Sequence, residues 1–120
     1  HHYSQVIKDI NNALKVLNDN GLILIHDCLP NNLTDQLVPR MTLNWNGDVW
    51  KALVECRTKS NLDCYTCYAD WGIGVIFKRK NSNLLTIEQK NFKKLKYNFF
   101  FNNYKKLMNI IEFDDLLKKF

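Results

Sequence analysis

The chain has 120 residues, with 17 Lys+Arg against 12 Asp+Glu for a formal charge of +5, and 46% of it is hydrophobic; these are the proportions of one folded domain with a working core, not of a disordered chain. The longest unbroken aliphatic run, Leu22-Ile23-Leu24-Ile25, is far shorter than the ~20 apolar residues that cross a bilayer as a helix, which excludes a membrane-spanning helix. No basic-then-apolar leader opens the chain, Cys28, Cys56, Cys64 and Cys67 without one point to reduced thiols in a cytoplasm, and His1 in place of Met predicts a fragment or a processed form.

In chain order, Val6, Ile7, Ile10, Ala13, Leu14 and Leu17 recur at helical spacing, which predicts an amphipathic helix over residues 4–18 with Ser4 as its N-cap. The run Asn18-Asp19-Asn20-Gly21 ends it, with Gly21 expected in the left-handed conformation that closes helices. Residues 22–26 are aliphatic on both faces, which is the pattern of a strand buried in the middle of a parallel sheet. Pro30 stops that strand, and residues 30–46 form a long Asn-rich loop, a feature that is more often functional than idle.

Asn46 or Asp48 is placed to cap a second helix reaching about residue 59, with Val49, Trp50, Leu53 and Val54 along one stripe. Residues 62–68 and 73–78 read as strands, and the Asp70-Trp71-Gly72 turn between them makes an antiparallel pair. On the first of these strands, Cys64 and Cys67 are three apart and so point to opposite faces, which argues against a shared metal or redox site.

A polar break at Asn81-Ser82-Asn83 precedes a helix-prone stretch over residues 87–110 and a short last helix over 113–120, whose acids lead and whose lysines trail as the helix dipole favours. The charge is unevenly placed. Residues 1–79 hold 8 basic and 8 acidic side chains, whereas residues 80–120 hold 9 lysines and 4 acids, so the whole excess of +5 lies in the tail. Basic groups interleaved with Phe92, Tyr97, Phe99, Phe100, Phe101 and Tyr104 can hold single-stranded nucleic acid by charge and stacking. The plainer reading is an amphipathic tail whose aromatics pack inward and whose lysines are solvated, and no known nucleic-acid motif accompanies the charge.

The order helix, strand, helix, strand, strand, helices implies an α/β fold with a hairpin at one edge. Only one strand is central, and a central parallel strand needs neighbours on both sides. A preceding half of the sheet, or a partner chain such as a second copy, is therefore expected.

The segments His1-His2-Tyr3-Ser4-Gln5-Val6, Gly21-Leu22-Ile23-Leu24-Ile25-His26-Asp27-Cys28, Trp45-Asn46-Gly47-Asp48-Val49-Trp50-Lys51 and Asp70-Trp71-Gly72-Ile73-Gly74 together resemble one family. They look like the C-terminal half of a class I S-adenosylmethionine-dependent methyltransferase of the small-molecule and sugar O-methyltransferase-like group. In that group a strand ending in Asp-Gly-x-His-x-Tyr leads into a helix, a Gly-Gly turn and a strand ending in His-Asp or Asp-Asp. His1 and Tyr3 match the end of the first motif, and Asn20-Gly21 stands at the turn. The resemblance covers residues 1–80, as half of a Rossmann-like domain, and leaves 81–120 as a basic, aromatic-rich helical extension. The glycine-rich turn and the ribose-binding acid by which the family grips its cofactor are not among these 120 residues.

The resemblance implies an enzyme of a bacterial cytoplasm that moves a methyl group from S-adenosylmethionine to a small-molecule or sugar-like hydroxyl. It implies no activity for these residues alone. The site residues it implies are Asp27 first, as a base or a ligand for a divalent cation such as magnesium, and then His26 and His1. Read without it, His26 is a buried, hydrogen-bonded residue and Asp27 caps the loop that follows. His1 and His2 then belong to a frayed terminus, Asp48 is a cap and Trp50 is core. A non-catalytic module acting through protein contacts is the third reading.

Overall fold

The computed structural model describes residues 1–120. Its elements are α1 (Tyr3–Val16), β1 (Leu22–Ile25), α2 (Trp50–Arg57), β2 (Asp63–Cys67), β3 (Ile73–Phe77), α3 (Tyr97–Leu107) and α4 (Phe113–Leu117), with single 3-10 turns at Thr34–Gln36 and Phe92–Lys94. The fold is α/β, as the order of elements predicts. The three strands form one sheet in the order β1-β3-β2, with both pairings antiparallel.

This arrangement corrects the place of β1. It is an edge strand paired only with β3 (Ile23 opposite Ile76, Ile25 opposite Gly74) and not a central strand in a parallel sheet. The central strand is β3. Because β1 and β2 both run against β3, they run in the same direction as each other, and α2 crosses between them. The expected crossover is therefore present, with the second arm of the β2–β3 hairpin inserted into the gap.

The two edges are finished differently. Along β2, the tail closes the edge: Thr66 N donates to the Asn109 carbonyl at 3.2 Å, and Ile111 N donates to the Thr66 carbonyl at 3.0 Å. Along β1 no segment pairs with the outer edge. Leu24 there is 61% exposed, and no charged residue lies within Leu22–Ile25 to discourage pairing with another strand.

The sheet separates two apolar clusters. On one face Ile10 of α1, Trp50, Leu53 and Cys56 of α2, Cys64 and Ile76 of the sheet, and Leu95, Phe100, Leu107 and Met108 of the tail form a continuous core. On the other face Tyr65, Cys67, Val75 and Phe77 pack with Leu116 of α4. Cys64 and Cys67 thus belong to opposite faces, as strand geometry requires. All four cysteines are free and buried, and burial pushes their thiols up, Cys56 to about 12.

The tail is shorter in helix than its composition predicts. Residues 84–91 carry no helix, and regular α-helix begins only at Tyr97. The tail is held by Arg57, a buried guanidinium at the end of α2. It donates to the carbonyls of Lys106, of Leu107 at 3.2 Å and of Asn83 at 2.7 Å, which satisfies backbone oxygens left open at the C-terminus of α3. Burial lowers the pKa of this arginine. On the same side of the molecule, burial raises the Asp63 carboxyl, but hydrogen bonds from Ser82, Arg79 and Tyr65 outweigh it and hold the group below its usual range.

Candidate functional site

Two caps differ from those the sequence predicts, and they shape the site. Ser4 does not cap α1; the N-cap is His2, which makes no side-chain cap bond. Asp48 performs that task from 45 residues away, its Oδ1 accepting Tyr3 N at 2.7 Å, while Asp48 N donates to the His1 carbonyl at 3.0 Å. Asp48 caps no part of α2, which begins at Trp50 without a side-chain cap. Gly47 makes the approach possible. Its φ of 65° lies in the left-handed region, and a Cβ there would overlap the His1 carbonyl. Tyr3 then ties α1 to α2 through its hydroxyl, which donates to Glu55 Oε2 at 2.6 Å. The left-handed residue expected at Gly21 is instead Asn20, with φ 61°.

These contacts deliver His1 to the end of β1. There Asp27 also adopts left-handed backbone, φ 63°, which turns its carboxylate inward until it is 8% exposed. His1 Nε2 is 2.8 Å from Asp27 Oδ2, His26 Nδ1 is 3.0 Å from Oδ1, and Asn46 Nδ2 donates to Oδ1 at 3.0 Å. The other nitrogen of His26, Nε2, reaches Asp70 Oδ2 at 2.9 Å. The His1 ring stacks on Trp45, centroids 5.2 Å apart, and the Trp45 indole is fixed by its own bond to the Leu37 carbonyl at 2.6 Å. The structure therefore brings Asp27, His26 and His1 into one cluster. His2 only meets the edge of Trp45, and Trp50 is fully buried in the core against Phe100.

Two expectations about roles change. His26 is not buried; its side chain is 47% exposed. Nor does Asp27 cap the loop after it, since its acceptor positions go to two imidazoles and an amide. Hydrogen bonds to Asp70 and then to Asp27 raise the His26 pKa, and desolvation only partly opposes them. His26 therefore favours the imidazolium, with an N–H aimed at each carboxylate. His1 differs: Nε2 faces Asp27, and Nδ1 is left for another partner. Asn46 is fixed in its amide orientation, because a flip would aim its oxygen at the Asp27 carboxylate. Its Oδ1 is buried without a hydrogen-bond partner.

Beside the cluster, a cleft of about 380 Å³ runs between α1 and the open edge of β1. His1, Asp9, His26 and Asp27 supply its polar wall, and Val6, Ile10, Ile23 and Ile25 are among its apolar residues. Asn46 and Asp70 complete the cluster and were not distinguishable in the sequence. Asn46 reads there as a helix cap, and Asp70 as ordinary turn chemistry; only the β1–β3 register places the 70–72 turn next to His26.

Neither implied cofactor fits these residues as arranged. Both Asp27 oxygens face N–H donors, the neighbours are imidazoles, and magnesium prefers oxygen ligands. No group of three His, Cys, Asp or Glu side chains is placed to hold a metal ion. For S-adenosylmethionine, the glycines offer no cradle. The space a Cβ would take is filled by Leu29 at Gly72 and by Ile25 and Cys28 at Gly74.

No protein-family model matches the chain, and neither a curated protein nor a solved structure is significantly similar to it. No helix is long and apolar enough to cross a membrane.

Proposed function

We propose that this chain is the acceptor-side half of an S-adenosylmethionine-dependent O-methyltransferase, a Rossmann-like enzyme whose donor-binding half pairs along the open edge of β1. The observation that carries the reading is the Asp27 clamp. A buried carboxylate at the carboxyl end of a strand, in left-handed backbone, orients two imidazoles toward a cleft, and in the parallel sheet that a preceding half would complete along β1 this is the end that holds ligands. The parallel course of β1 and β2, the crossover helix α2 and the unpaired outer edge of β1 support the same reading. In this reading the cofactor is held by residues outside these 120.

The work of the present residues is proton transfer and positioning. With its Nε2–H donated to Asp27, neutral His1 keeps the Nδ1 lone pair to accept the proton of an acceptor hydroxyl. Asp27 is a positioning residue: it fixes that tautomer and stabilises the imidazolium that forms. His26, bonded by carboxylates on both nitrogens, is poorly suited to act as the base and contributes positive charge instead. The order of roles is thus His1 as base, Asp27 behind it and His26 as an electrostatic neighbour. The small cleft with one polar wall suits a small hydroxyl compound, a single sugar ring included.

The test begins with the reading frame upstream of His1. Asp-Gly-x immediately before it, and a strand with a glycine-rich turn further upstream, are expected. In that longer protein His1→Ala and Asp27→Asn should each lower kcat for methyl transfer by about a hundredfold or more, while His26→Gln should lower it less. An upstream frame without those elements, or full activity in His1→Ala, would overturn the proposal.

A further inference from the structure

A second cavity lies far along the chain from Asp27. It is a groove of about 580 Å³ between the 85–89 segment and the length of α3, from Asn98 to Leu107. Leu85, Leu95 and Leu107, all buried, form an apolar floor, and Phe99 stands half-open at the side. Lys94, Lys96 and Lys106 line it, and none of the three makes an ion pair or a side-chain hydrogen bond. The single carboxylate in the lining is Glu88, also unpaired, so the groove carries a net charge of +2 (three lysines less one glutamate).

Other charges of the tail are engaged elsewhere. Lys90 Nζ donates to the Ile87 carbonyl, Lys118 pairs with Asp115, and Lys119 lies over the Tyr65 ring. Phe100 is buried, and Phe92, Tyr97 and Tyr104 pack against the core. Most aromatics that would stack on the bases of a nucleic-acid strand are therefore committed to the fold, whereas three of the six tail lysines without a partner line one groove with an apolar floor, the other three being Lys80, Lys93 and Lys105.

We propose that this groove binds a phosphorylated small molecule of mononucleotide size, its anion drawn to the wall that Lys94, Lys96 and Lys106 line and its flat body laid on Leu95 and Phe99. A pocket of this volume is in the range that encloses such a ligand, and ammonium groups are suited to phosphate as point charges. The site is separate from the Asp27 cluster and does not depend on methyl transfer.

The test uses the 120-residue protein and three probes: adenosine monophosphate, adenosine and inorganic phosphate. Chemical-shift mapping with adenosine monophosphate should move the amides of residues 85–89, 94–99 and 106, and weaken as salt is raised. Adenosine and phosphate should each bind more weakly. The triple variant K94Q/K96Q/K106Q changes only exposed side chains and should unfold at an unaltered temperature, but lose roughly tenfold in affinity, the combined effect of three exposed charge pairs. No saturable binding of the nucleotide, or binding unchanged in the triple variant, would overturn the proposal. So would a single-stranded oligonucleotide that binds tightly and is not displaced by the mononucleotide, because the tail would then be a strand-tracking surface.

Discussion

Asp27 concentrates three unusual properties in one residue: positive φ, near-complete burial and three N–H donors on one carboxylate. Asparagine tolerates left-handed backbone about as well, so Asp27→Asn isolates the charge from the conformation. It should lower unfolding stability in urea by about 1–3 kcal/mol, the usual effect of leaving buried partners of a charged group poorly satisfied. His26 adds a pH dependence with a definite sign. Its pKa is raised in the folded state above the ordinary 6.5, so its contacts contribute fully below about 6.5 and are lost as pH rises through the folded value. Asp70→Asn, which removes the largest cause of the shift, should therefore destabilise the protein at about pH 6 and have little effect at about pH 9. A proton NMR titration of His26 should show a midpoint above 6.5 that falls in the variant. The sequence places His26 and Asp27 together because a polar pair after an aliphatic run lies at a strand end, whereas His1 enters only through the resemblance of His1-x-Tyr3 to the methyltransferase motif. It does not show that Asp27's oxygens are taken up by N–H donors, because two of those donors, His1 and Asn46, lie 26 and 19 residues away.

Among the elements, α1, α2 and the β2–β3 hairpin are legible in the sequence because their signals are local: apolar spacing of three and four, and a three-residue turn between two strand-forming runs. The place of β1 is not legible. Leu-Ile-Leu-Ile reads the same whether a strand has neighbours on both sides or one, and its register depends on β3, which arrives about 50 residues later. The extent of helix in the tail is not legible either. Lysine and leucine favour helix by composition, but residues 84–91 run irregularly over the end of α2, where Leu85 N is bonded to the Arg57 carbonyl at 3.0 Å. The contact between α1 and the 46–48 turn gives an element-level prediction. Gly47→Ala places a Cβ against the His1 carbonyl at positive φ, and it should cost about 2 kcal/mol or more and detach the His1 ring from Trp45. Thermal unfolding reads the first effect, and the chemical shift of the Trp45 indole N–H reads the second. A variant with wild-type stability and an unmoved indole signal would show that the turn adapts and that Gly47 does not hold the site together.

At the scale of the molecule, the sheet is closed along β2 by residues 109–111 and open along β1. The closed side depends on Arg57, whose guanidinium joins α2 to the carbonyls of residues 83, 106 and 107. Arg57→Ala should cost about 3 kcal/mol, because the buried Leu107 carbonyl loses its donor and a packed side chain is removed from the end of α2, and lysine should not restore the stability because it lacks the planar fork. Hydrogen exchange in α3 should accelerate before exchange in β3 does. The open side is what the proposed function requires: an apolar edge beside a half-buried helix, placed to receive the rest of a sheet. Calorimetric titration of S-adenosylmethionine into two proteins, the 120-residue chain and the product of its whole reading frame, decides the matter most directly. One saturable site in the longer protein and no saturable heat in the shorter one is the expected result. Binding by the 120 residues alone, or by neither protein, would contradict a methyltransferase divided at His1.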